Sequence, residues 1–188
     1  MNAPIRFVPP AAAVASLIET DRIHGRLYTD DAIFEQEMKT IFYEGWVFVG
    51  HDSEVTSAGD YVRRTLGREE VLLVRQRDGG VRVLSNRCAH RGNMLCIEKH
   101  GREKYFTCTY HGWVYDLAGN LKDVPYPGGF KKDKKELGLK VLRSESYRGF
   151  VFATFNAEAP PLMQHLGRAK TLIDRSCDMS PTGRIKLT

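Results

Sequence analysis

With 188 residues, the chain is long enough for one domain with a real core plus some flanking structure, and 42% apolar with 27% charged residues is the balance of a globular protein. No apolar run approaches the roughly 18 residues of a membrane span, so a membrane partner is not expected. The net charge of +5 is mild and scattered apart from Lys131-Lys132-Asp133-Lys134-Lys135, which reads as a solvated loop and lacks the aromatic-interleaved stripe of a nucleic-acid binder.

At the N-terminus Arg6 precedes an apolar patch, but Pro9-Pro10 divide it into pieces too short for a secretory leader. Four cysteines without a regular framework argue against a disulfide scaffold and fit a reducing, cytoplasmic setting. Residues 1–44 are an arm followed by a helix. Thr29 or Asp30 caps that helix, Ile33, Phe34, Met38, Ile41 and Phe42 form one apolar face, and Gly45 stops it.

From Trp46 the period shortens to that of strands. Trp46–Val49, Tyr61–Leu66, Val71–Arg75, Val81–Ser85, Lys104–Cys108, Trp113–Asp116, Leu139–Arg143 and Phe150–Phe155 are the expected set. Ser57-Ala58-Gly59-Asp60, Asp78-Gly79-Gly80 and Leu117-Ala118-Gly119-Asn120 are turns between them. Many short strands with tight turns predict a mainly β fold, antiparallel and packed as a sandwich or small barrel, with helices at its flanks. Residues 125–138, rich in Pro, Gly and Lys, form an irregular excursion. Leu162, Met163, Leu166, Ala169, Leu172 and Ile173 predict a helix weakened at Gly167, and Gly183–Leu187 a further strand.

The chemistry is concentrated between Cys88 and Trp113. Cys88 and His90 stand at C-x-H spacing, Cys108 and His111 at C-x-x-H, with 17 residues between His90 and Cys108. In extended chain, residues two apart lie roughly 7 Å apart on one face. That is wide for one metal ion and natural for a Cys and a His serving two. Gly112 lets the second pair turn. Two loops that each offer a thiolate and an imidazole suit a two-iron cluster, both Cys on one iron and both His on the other. A tetrahedral zinc site from the same four residues is the rival chemistry. Cys96, between the pairs, reads as a small buried side chain, and Cys177 has no assigned role. His24, His51, His100 and His165 read as surface or capping residues.

C-x-H-R-G, the gap, and C-x-x-H-G-W resemble the Rieske signature of aromatic-ring-hydroxylating oxygenases, their large (alpha) subunit in particular. The resemblance extends to Trp46, Gly59-Asp60-Tyr61, Asn86, Tyr115-Asp116 and Gly119, and covers most of residues 28–188. It implies a Rieske 2Fe–2S domain over 45–156, two cluster-binding loops, Cys88, His90, Cys108 and His111 as ligands, and 157–188 as the start of a catalytic domain. Arg91, Gly92, Tyr110, Gly112 and Trp113 would stand beside the cluster or contact a neighbouring subunit. Rieske proteins of cytochrome complexes carry an extra Cys in each loop where this chain has Asn93 and Tyr110, which points to the oxygenase or ferredoxin branch.

The resemblance further implies a ferredoxin or reductase as electron donor and a trimer of alpha subunits. Electrons would pass to a mononuclear Fe(II) in the neighbour, contacted through His111. That iron's motif does not occur by Thr188, so no residue of this chain is expected to be catalytic, and the chain alone should carry electrons without oxygenating anything. A free-standing Rieske ferredoxin is the alternative, but it leaves the helix at 30–44 and the tail after Phe155 without purpose. Histidine ligation also implies a potential that is flat at low pH and then falls by about 59 mV per unit.

Overall fold

The computed structural model describes residues 14–126, 128 and 133–187. Arg6, Pro9-Pro10, Pro127, Gly129 and Lys131-Lys132 lie outside them.

Among the described residues, ten strands make two antiparallel sheets. They are β1 (Val47–His51), β2 (Asp60–Leu66), β3 (Glu69–Arg75), β4 (Val81–Ser85), β5 (His100–Arg102), β6 (Phe106–Thr107), β7 (Val114–Tyr115), β8 (Leu121–Asp123), β9 (Val141–Tyr147) and β10 (Phe150–Thr154). Seven form one sheet in the order β1-β10-β9-β4-β3-β2-β5, and β6-β7-β8 form a small second sheet. The mainly β, antiparallel architecture is the one expected. Eight of the strands fall on expected segments. β5 and β8 do not, because His100-Gly101-Arg102 and Leu121-Lys122-Asp123 are too short and polar to alternate.

Strand β3 explains how the two sheets share a core. Val71, Leu72, Leu73 and Val74 are all 0% exposed, and because successive side chains point to opposite faces they divide between two clusters. Val71 and Leu73 join Val62, Leu66, Val83 and Val151 in one. Leu72 and Val74 join Cys88, Cys108, Phe106, Trp113 and Tyr115 in the other. A strand buried on both faces reads as a continuous apolar run, as this one does. It sets the small sheet and its loops on a rigid floor.

The N-terminal helix begins at Asp31, where Asp30 accepts hydrogen bonds from the Ala32 and Ile33 amides at 3.0 and 3.4 Å. It widens into a π-helical stretch over Met38–Tyr43. Only part of the expected apolar face is buried: Ile33 and Met38 are, while Phe34 and Ile41 are exposed. For Ile41 the widened turn breaks the 3.6-residue spacing, whereas Phe34 lies in the regular turns before it, with the Arg68 guanidinium over its ring. Near the C-terminus the single helix expected from Leu162 is two, Leu162–Leu166 and Ala169–Asp178. Gly167 stands between them at φ +46°, a left-handed conformation that stops helix propagation. Gly183–Leu187 is not a strand; it runs irregularly, with Leu187 tied to the Ser53 hydroxyl. Trp46 donates from Nε1 to the Pro160 carbonyl at 2.7 Å and packs with Leu162, which seats the helices on the sheet. No helix among the described residues is long and apolar enough to cross a membrane.

Asp30 carries a pH-dependent contribution. The Arg26 guanidinium first, and the Ala32 and Ile33 amides next, hold its carboxyl below the ordinary 3.8. A carboxyl depressed in the folded state adds stability above its unfolded value and loses it as the pH falls through its folded value. Asn caps about as well as Asp but carries no charge. The stability gap between wild type and Asp30→Asn, read from urea unfolding, is expected at neutral pH and should close below pH 3.8.

Candidate metal centre

The two loops that follow β4 and β6 are built alike. In the first, the Gly92 amide donates to the Cys88 carbonyl at 2.8 Å and the Cys88 amide to the Asn93 carbonyl at 2.8 Å. In the second, the Gly112 amide donates to the Cys108 carbonyl at 2.9 Å and the Cys108 amide to the Trp113 carbonyl at 2.8 Å. Both glycines close their turn in the left-handed region, at φ +71° and +69°, where a side chain would be strained. Sequence reasoning assigned this role to Gly112 alone; Gly92 performs it equally.

This repeat brings the four donors together in like pairs. The Cys88 and Cys108 thiols are buried and interact directly, while His90 Nδ1 and His111 Nδ1 face each other at 3.1 Å. The rings meet edge-on, with centroids 4.7 Å apart. Among the described residues, no three His, Cys, Asp or Glu side chains gather as a single ion would require. Two sulfurs on one side and two nitrogens on the other fit a centre with two metal positions.

The sulfurs are not equivalent. Burial pushes the Cys88 thiol up, and the neighbouring Cys108 adds to that. Burial also opposes ionisation at Cys108, but the amides of Tyr110 and His111 and the Cys88 side chain outweigh it and hold its thiol below the ordinary value. The two thiols are thus pushed in opposite directions by their surroundings. Burial, then His111 and Arg91, holds the His90 ring below its usual value. A neutral ring is the form that binds a metal.

Around the donors, Trp113 stacks on His90, centroids 4.9 Å apart and planes within 6°. Tyr110 is 59% exposed and lies against His111, centroids 3.8 Å apart. Arg91 is exposed at the rim. Cys96 is buried away from the histidines, bonded to Tyr61, and burial pushes its thiol up to about 11. His51 does cap, accepting from the Ser53 amide, but it is buried rather than at the surface.

Three residues matter more than sequence reasoning allowed. Tyr115 is buried, and its hydroxyl accepts from the Ala89 amide at 3.1 Å while lying 3.2 Å from Cys88 Sγ. Accepting from Ala89 leaves the O–H hydrogen unused, so the hydroxyl donates to the sulfur when the latter is a thiolate. Asn86 is buried and satisfied at both ends: Nδ2 donates to the Cys96 carbonyl, and Oδ1 accepts from the Leu95 and Cys96 amides. It closes the far side of the first loop. Asn93 reaches from the first loop toward Cys108. The sequence places Asn86 and Tyr115 within the resemblance and Asn93 in the first loop; a phenol or an amide in a motif does not announce its partner.

The chain belongs to the Rieske [2Fe-2S] domain family, whose model matches residues 45–142. It is 41% identical over 179 residues to biphenyl 2,3-dioxygenase subunit alpha of Rhodococcus jostii (strain RHA1), covering 92% of this chain and 38% of that protein. To chlorobenzene dioxygenase subunit alpha of Cupriavidus sp. (strain PS12) it is 39% identical, covering 86% and 36%. Its fold superposes on crystalline naphthalene 1,2-dioxygenase from Rhodococcus sp. with a TM-score of 0.79 at 31% identity, over 85% of this chain and 37% of that one. The chain thus spans well under half the length of these relatives.

Proposed function

We propose that this chain is the electron-carrying part of an aromatic-ring-hydroxylating oxygenase alpha subunit, with residues 45–156 as its cluster-binding unit. Cys88 and Cys108 would hold one iron of a 2Fe–2S cluster, and His90 and His111 the other. The observation that carries this reading is the sorting of four donors into a sulfur pair and a nitrogen pair on two loops of the same construction. When bound, such a cluster supplies a one-electron couple, raised by imidazole in place of thiolate to roughly −150 to +300 mV.

The chain's own residues set the conditions. Buried Cys88 and Cys108 keep water from the sulfur side. The Tyr110 and His111 amides stabilise negative charge on Cys108, and the Tyr115 hydroxyl does so on Cys88. His90 and His111 are only half-buried, and with Nδ1 facing inward each places Nε2 on the far side of its ring. Electrons therefore exchange most readily on the histidine side, where Tyr110 and Arg91 form the rim.

The relatives' names, biphenyl and chlorobenzene dioxygenase alpha subunits, support an aromatic substrate for the whole enzyme. A ferredoxin or reductase is the proposed donor, and the mononuclear Fe(II) of a neighbouring alpha subunit the acceptor. No residue among those described is proposed to be catalytic. Reductive titration with dithionite tests the electron-carrying role. Uptake of one electron per chain with bleaching of a visible band supports it, and a colourless protein that takes up none contradicts it.

Tyr115→Phe deletes the O–H donor to Cys88 and leaves the ring in place. Negative charge on that sulfur is then less stabilised, most of all in the reduced state. The midpoint potential should fall by roughly 30 to 60 mV, the equivalent of about threefold to tenfold in the reduction equilibrium. Protein-film voltammetry of the two proteins would measure it.

A further inference from the structure

Asn93 holds both donor loops at once. Its backbone carbonyl accepts from the Cys88 amide at 2.8 Å, which closes the first loop. Its side chain crosses to the second loop, where Nδ2 lies 3.8 Å from Cys108 Sγ. The orientation of the amide is fixed independently, because Nδ2 also donates to the Met94 carbonyl at 3.0 Å and a carbonyl can only accept. One hydrogen is thus spent on Met94 and the other is available to the sulfur. Cys108 also takes the Tyr110 and His111 amides of its own loop and faces the Cys88 side chain of the first; Asn93 adds an amide donor from that first loop.

We propose that Asn93 is a positioning residue that ties the two loops across the metal centre and stabilises negative charge on the Cys108 sulfur. This rests on the electron-carrier reading above. Its effect follows from charge. A hydrogen bond to sulfur strengthens as the sulfur becomes more negative, so the contact favours the reduced state and raises the potential. It also resists separation of the loops, and so slows loss of metal. Substitution should leave the loop's own closure intact, because the bonds at Cys88 and Gly92 are made by backbone atoms. Met94 is exposed, so water can satisfy its carbonyl.

The test uses iron-loaded wild type, Asn93→Ala and Asn93→Asp, with two readouts: midpoint potential, and the rate of iron release to a chelator. Asn93→Ala removes the donor, and its reduction equilibrium should fall about threefold, a shift of roughly 28 mV to lower potential at 59 mV per tenfold. Asn93→Asp keeps the size but places an acceptor beside the sulfur, and should fall further. Both should release iron several-fold faster. A purely structural role would change thermal unfolding and leave the potential alone. Unchanged potentials in both loaded variants would overturn this inference and spare the electron-carrier reading. Wild type that holds no iron and sulfide would overturn both.

Discussion

Replacing Cys88 or Cys108 with alanine is expected to leave a folded, colourless protein without bound iron or sulfide. Each cysteine is buried, interacts electrostatically with the other, and is supplied with amide donors that stabilise charge. Removing one would leave the proposed iron position with a single protein sulfur and no third cysteine to replace it. Cys96 is hydrogen-bonded to Tyr61, and Cys177 is the buried residue of the C-terminal helix, near Arg148. Cys96→Ala and Cys177→Ala should therefore load as wild type does. Iron and acid-labile sulfide assays on the four single variants separate the pairs. If Cys96→Ala also lost its iron, the proposed ligand assignment would be wrong.

Trp113→Ala carries the next largest effect, and it acts on stability and on the site together. Trp113 is 2% exposed within the cluster of side chains beneath the loops. Truncating a buried aromatic of this kind costs about 3–5 kcal/mol through lost transfer energy and the cavity left behind. The same change strips His90 of the ring stacked on it, so one of the two nitrogen donors loses its orientation. Trp113→Phe keeps an aromatic face and fills much of the volume, and should retain iron while losing less stability. Urea unfolding and iron content of the two variants give both readouts. Equal iron retention in Ala and Phe would show that the stacking does not position His90.

These expectations show how much of the molecule the sequence discloses. The donor residues stand out because a C-x-H and a C-x-x-H with flanking glycines are rare patterns, and the loops form because only glycine sits easily at φ near +70°. Most strands were legible because β3 and its neighbours alternate or run apolar over five to seven residues. What escaped has a physical cause in each case. β5 and β8 are three residues long and held by neighbours rather than by their own pattern. The expected strand at Gly183–Leu187 has alternating residues but no partner strand in register. Ile41 falls on a buried face only under a 3.6-residue period that the π-helical stretch interrupts. Asn86, Asn93 and Tyr115 act through hydrogen bonds whose partners lie on other segments, up to 27 positions away for Tyr115 and Cys88. No local pattern encodes such a contact.

Two loops of one construction are proposed to hold a two-iron centre, sulfur on one side and nitrogen on the other. Elemental analysis of the purified chain, with acid-labile sulfide and a visible spectrum, tests it most directly. A brown protein with the iron and sulfide content of a [2Fe-2S] cluster is the expected result. A colourless protein with one zinc and no sulfide would contradict it.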